Sequence, residues 1–235
     1  MSKTPKLAAG VAAAALVMSG AGIALGTAPA TADTPSCEQS KHVDYNPGIS
    51  SVWITHTYDK SVDIKTAAAG TLVTYSLRVG TTSIGNPYIN GIVDFPPPGF
   101  EKPVKVVVTA YHFGQGEQPA EVSPEPDNGG WRVNSTGWFV NSGNPVTAAF
   151  TYRVPASITD GQTVLSGGMQ VHGTVGSGSE QPSMGVCFTG RGANPGEALL
   201  GSLDQGGFGS SQNGLSSTGS VSDTIANVIR RLMGS

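Results

Sequence analysis

Apolar and polar residues alternate in short runs through the middle of this chain. Residues 71–79, TLVTYSLRV, place Val73, Tyr75, Leu77 and Val79 on one face and Thr74, Ser76 and Arg78 on the other. A period of two belongs to a half-buried β-strand, whose successive side chains point to opposite faces. Comparable runs occupy 51–58, 61–66, 89–95, 104–113, 131–140, 146–154, 162–175 and 184–189. They are rich in Val, Ile, Thr, Tyr and Phe, which suit a pleated surface, and are cut by Gly, Pro, Asn and Asp. None sustains a helical period. Eight or nine strands with no intervening helices predict an all-β, antiparallel β-sandwich.

Four segments break this pattern. Residues 114–130, GQGEQPAEVSPEPDNGG, read as a long polar loop holding Glu117, Glu121, Glu125 and Asp127. A loop of that length in a compact domain is expected to serve a partner. Residues 191–219 are Gly- and Ser-rich, the composition of a flexible linker. In 220–235, Val221, Ile225, Val228, Ile229 and Leu232 form one apolar stripe at helical spacing, with Arg230 and Arg231 near the carboxyl end. That predicts a short amphipathic helix, too short to span a bilayer and marginal in water until its stripe meets a surface. At the other end, Lys3 and Lys6 precede an uncharged apolar run over 7–25, and Pro29-Ala30-Thr31-Ala32 follows. These are the parts of a secretory signal peptide spanning 1–32, with cleavage after Ala32. The predicted organisation is thus signal peptide 1–32, β-sandwich 33–190, linker 191–219 and helix 220–235.

Secretion changes how the remaining composition is read. Cys37 and Cys187 are the two cysteines of the chain. An even pair in an oxidising compartment is expected to form a disulfide. Closing a loop of 150 residues, it would stabilise the fold by roughly 5 kcal/mol on the chain-entropy account. Lys3 and Lys6 leave with the leader, which takes 13 Lys and Arg down to 11 against 16 Asp and Glu, a net charge of −5. An acidic chain has no electrostatic means of holding a phosphate backbone or an anionic membrane, so nucleic acid is excluded as a partner.

Three stretches resemble a known family. Ala69–Val79 (AGTLVTYSLRV) resembles a G-x-x-V-T-Y strand. Ile92-Val93-Asp94-Phe95-Pro96-Pro97-Pro98-Gly99 resembles a V-x-D-x-x-P-x-G strand and turn. Residues 148–175, with Phe150, Tyr152, Val154-Pro155-Ala156 and Gly161-Gln162-Thr163, resemble an F-x-x-x-V-P-A-x-x-x-x-G-x-T ending. Together they are similar to the immunoglobulin-like conserved-repeat domain of bacterial cell-surface and secreted proteins, a family of unknown function. The resemblance implies an immunoglobulin-like sandwich at the bacterial envelope and carries no catalytic residues. This chain departs from the pattern at Leu165-Ser166-Gly167-Gly168, where the family has T-N-x-A.

No G-x-S-x-G elbow occurs. His42, His56, His112 and His172 stand singly without metal-ligand spacing, and His172 is expected on a solvated strand face. Asp127-Asn128-Gly129 lacks the ladder of a calcium loop. No catalytic residue, cofactor or metal site is therefore expected. The function predicted is a secreted, envelope-associated, non-catalytic binding domain that meets a protein or glycan through Glu117, Glu121, Glu125 and Asp127 or through the apolar terminal stripe. Two other readings are a carbohydrate-binding module using Trp53, Trp131, Trp138, Tyr88, Tyr111 and Phe139, and a secreted hydrolase with a dispersed active site. The first requires exposed coplanar rings; the second requires a cleft where His and a carboxylate meet.

Overall fold

The computed structural model describes residues 37–48, 54–82, 86–195 and 197. The signal peptide, Trp53, most of the linker and the terminal stripe of Val221, Ile225, Val228, Ile229 and Leu232 lie outside them. Within the described residues the chain is all-β, with fourteen strands in three sheets. The strands are β1 (Ser40–Tyr45), β2 (His56–Val62), β3 (Thr66–Ala68), β4 (Leu72–Thr81), β5 (Tyr88–Asp94), β6 (Lys105–His112) and β7 (Gly116–Glu121). They continue with β8 (Glu125–Asp127), β9 (Gly130–Phe139), β10 (Val146–Arg153), β11 (Thr163–Leu165), β12 (Met169–Gly173), β13 (Ser179–Gln181) and β14 (Cys187–Arg191).

A six-stranded antiparallel sheet runs β1-β2-β4-β10-β6-β7, and a five-stranded one runs β13-β12-β5-β9-β8. A third, small sheet orders β11-β14-β3, with β14 and β3 parallel. The two larger sheets share one apolar core. Val73, Tyr75, Leu77 and Val79 of β4 meet Ala148, Phe150 and Tyr152 of β10, and opposite them lie Ile89, Ile92, Val133, Met169 and Val171. All four inward residues predicted on β4 are fully buried, while Arg78 is exposed.

Cys37 and Cys187 are bonded, with Cα atoms 5.4 Å apart. The bridge fastens the segment before β1 to β14. Beside it, the Cys187 amide donates to the Glu38 carbonyl at 2.9 Å.

Several expectations need correction. Residues 114–130 are not a loop. β7 adds to the edge of the six-stranded sheet against β6, and β8 pairs with β9 in the other sheet. The segment therefore steps from one sheet edge to the other. Pro119 and the exposed acids sit on edge strand β7, where a missing amide proton and like charges discourage pairing with another chain. Asp127-Asn128-Gly129 is the tight end of the β8–β9 hairpin. Asn128 and Gly129 have φ of 47° and 86°, the double left-handed turn that matches strand twist. The run 162–175 is two strands, β11 and β12, separated by Gly167-Gly168.

Candidate functional site

Strand β2 has the burial rhythm of alternate positions, yet its inward residues include His56, Tyr58 and Lys60. Polar groups taken out of water must find partners. These three find them across the core, on backbone carbonyls flanking β12. His56 Nε2 donates to Val175 O at 3.2 Å, and Tyr58 Oη donates to Ser177 O at 3.0 Å. Lys60 Nζ donates to Gly167 O at 2.8 Å and Gly168 O at 2.7 Å, with Phe95 O at 3.4 Å. The row spans from one sheet to segments of the other.

Lys60 also faces a carboxylate. Its Nζ lies 2.6 Å from Asp94 Oδ1, and both side chains are 0% exposed. Asp94 ends β5, just before Pro96-Pro97-Pro98 stops the strand. Tyr152 of β10 donates its hydroxyl to Asp94 Oδ2 at 2.7 Å. Tyr75 lies beneath the ammonium, its ring centroid 5.4 Å from Nζ, and stacks edge-on with Tyr152 at 5.9 Å. Desolvation pulls the Lys60 ammonium below its ordinary pKa, against the pull of Asp94. Burial pushes the Tyr152 and Tyr75 phenols well above theirs, and the Asp94 charge adds to both shifts.

The local sequence dictates this cage. A β-carbon on Gly168 would stand 1.8 Å from Gln181 O, and one on Gly167 would stand 2.7 Å from the Phe95 β-carbon. Only glycine lets this backbone approach closely enough to turn two carbonyls onto one nitrogen. Ser166, buried beside it, accepts from the Val186 amide at 3.1 Å and holds the strand end in place. Tyr75, Asp94 and Tyr152 each come from one of the three motif stretches, and Gly167-Gly168 from the departure. Lys60 was missed by the sequence reading. Its signal was its position in phase with His56, Tyr58 and Val62.

The predicted partner-binding acids sit far from this cluster in character. Glu117, Glu121 and Glu125 are exposed on β7 and β8, and Asp127 is half-buried. Glu121 faces Lys105 at 3.6 Å, Asp127 faces Arg132 at 3.6 Å, and Glu125 accepts from Asn134 Nδ2 at 3.0 Å. His172 is half-buried rather than solvated; burial and the Arg132 charge lower its pKa. Trp131 and Trp138 pack against the core. Tyr88 and Phe139 meet at 66°, and Tyr111 and Phe139 at 47°, so these rings do not share a plane for a sugar to stack on.

A groove of about 380 Å³ opens on the six-stranded sheet, lined by His42, Thr57, Asp59, Arg78, Asn141 and Ser142 among others. A histidine and a carboxylate do meet here, as the hydrolase reading requires. However, His42 Nδ1 is 2.6 Å from Asp59 and Nε2 is 3.1 Å from Asp44. A general base must keep one ring nitrogen for its nucleophile; both are occupied by carboxylates. Those bonds, the one to Asp59 foremost, raise the His42 pKa and favour the imidazolium. With His42 54% exposed, this is a surface ion bridge. No cluster of metal-ligating side chains occurs among the described residues, and no helix there is long and apolar enough to cross a membrane.

No protein-family model and no curated protein matches this chain. Solved structures that resemble it weakly include the following three. One is the RrgA Jo.In complex, at 10% identity over 63% of this chain and 90% of that one, TM-score 0.32. The second is AvmM, which catalyses macrocyclization in alchivemycin A biosynthesis, at 12% identity over 58% and 90%, TM-score 0.31. The third is the sporulation control protein Spo0M from Bacillus subtilis, at 11% identity over 71% and 55%, TM-score 0.30. Likenesses of this size establish neither ancestry nor activity.

Proposed function

We propose that the chain is a secreted, envelope-associated and non-catalytic binding domain of immunoglobulin-like sandwich type, which offers the acidic edge of β7 and β8 to a protein or glycan partner. One observation carries this reading: the buried polar groups are spent on joining the sheets. His56, Tyr58, Lys60, Asp94 and Tyr152 each bond to groups of the protein itself. A rigid body held in this way presents its edges without the entropic cost of ordering them on binding. The disulfide suits an oxidising exterior. Carboxylates at Glu117, Glu121 and Glu125 favour a partner with basic groups, through a field that salt weakens.

The test is binding of the purified domain to isolated bacterial envelope, compared with a Glu117→Gln/Glu121→Gln/Glu125→Gln variant. The reading expects saturable, salt-sensitive binding that the variant loses by about tenfold or more, the effect of a few charge pairs, at unchanged thermal stability. Absence of binding by the parent would reject the function. Equal binding by both would reject the acidic edge as the contact.

A further inference from the structure

We propose that Lys60 and Asp94 are joined in the mature protein by an intramolecular amide between Nζ and Cγ, formed with loss of one water, which ties the two large sheets covalently. The reacting groups are already held together. Nζ donates to Gly167 O and Gly168 O, with Phe95 O at the long distance of 3.4 Å, and its nearest neighbour of all is the Asp94 carboxyl. Oδ1 stands 2.6 Å from Nζ and yet takes no well-aligned hydrogen bond. The amine and the carboxyl are therefore in direct contact, with no other group between them. Both side chains are wholly excluded from solvent, so no bulk water competes as nucleophile or solvates the charges.

The chemistry balances within the pair. In a desolvated site a neutral amine and a neutral carboxyl compete well with two charges. One proton passes from Nζ to Oδ1. The Nζ lone pair then attacks Cγ, and negative charge develops on Oδ2, where the Tyr152 hydroxyl donates at 2.7 Å. A second proton passes from nitrogen to Oδ1, the Cγ–Oδ1 bond breaks, and water departs. Oδ2 becomes the amide oxygen, still held by Tyr152. The last nitrogen proton stays on the amide and bonds to Gly167 O or Gly168 O. The product removes both buried charges, and with them the desolvation cost of the ion pair. Proximity supplies the rate: two groups held in contact by the fold react as one molecule.

The experiment is peptide sequencing by tandem mass spectrometry on a tryptic digest of the reduced, denatured full chain. The expected result is a branched peptide joining Lys60 to Asp94, one water lighter than its two linear parts, with no cleavage after Lys60. Lys60→Arg, whose guanidinium is too weak a nucleophile to be acylated, should give only linear peptides. Tyr152→Phe keeps the ring and should leave a larger unlinked fraction in freshly synthesised protein. Linear peptides carrying unmodified Lys60 and Asp94 as the main species of the parent protein, or a water lost at another site, would overturn the proposal.

Discussion

Replacing Lys60 with Met keeps most of the buried stem and deletes the cation. Asp94 would be left as an uncompensated charge at 0% exposure, and Gly167 O and Gly168 O would lose their shared donor. Removing one partner of a buried pair costs about 3–5 kcal/mol, and the variant also forfeits the proposed cross-link, so this is the least it should cost. For a domain of this size each kcal/mol moves Tm by roughly 2–4 °C, so a fall on the order of 10 °C follows. Urea unfolding followed by tryptophan fluorescence, with the disulfide intact, measures the free energy directly. The double variant Lys60→Met/Asp94→Leu removes the stranded charge as well. It should be less destabilised than Lys60→Met alone, although it carries more changes. A single variant within about 1 kcal/mol of the parent would show that the pair is not buried, because such a value is typical of exposed ion pairs. A double variant that costs the sum of its parts would show that the two residues do not interact.

Three other outcomes follow from the geometry. Val175 has φ of 54° and precedes Gly176 at 76°, a two-residue turn that asks for Asn-Gly. Val175 is half exposed, so Val175→Asn should raise stability by about 1 kcal/mol in urea titrations; a loss would mean that the turn is not left-handed. Cys37→Ser with Cys187→Ser should cost about 2–5 kcal/mol, read as a lower urea midpoint, and reduction of the parent should reproduce it. The His42 pKa is raised in the fold, so its stabilisation is complete below pH 6.5 and is lost as pH rises through the folded value. Being half-exposed, it contributes under about 1 kcal/mol. His42→Ala should flatten the stability–pH curve on that alkaline side, and an unchanged curve would remove His42 from the account.

Much of the fold was legible because one face of each main strand is buried. The period of two in 71–79 identified the inward residues of β4 without error, since a slip of one position would have turned Val73, Tyr75, Leu77 and Val79 outward. The short strands were not legible. β3, β8, β11 and β13 hold three residues each and have no period to read. β7 is exposed along nearly its whole length, so its GEQPAE sequence looks like a loop. Asn128-Gly129 is a strong hairpin signal in its own right, although the neighbouring Asp127 gives it the look of a calcium turn. The buried cluster was half visible. Tyr75, Asp94 and Tyr152 stood in the motifs as strand chemistry, but nothing local says that β2, β5 and β10 converge on one point. Lys60 sits between two runs that looked separate, and a lysine at an inward position contradicts the simplest polarity rule. Glu117, Glu121 and Glu125 are exposed and Asp127 is half-buried, on edge strands with Lys105, Arg132 and Asn134 as neighbours rather than on a free loop.

Native-state hydrogen exchange tests most directly whether the polar row from β2 makes the two large sheets one unit. Amides of β2, β4, β5 and β10 should open with a single free energy, that of global unfolding, and Asp94→Ala should lower all of them together. If the five-stranded sheet exchanges at a lower free energy than the six-stranded one, or if Asp94→Ala weakens only β5 and its neighbours, the sheets are not joined as described here.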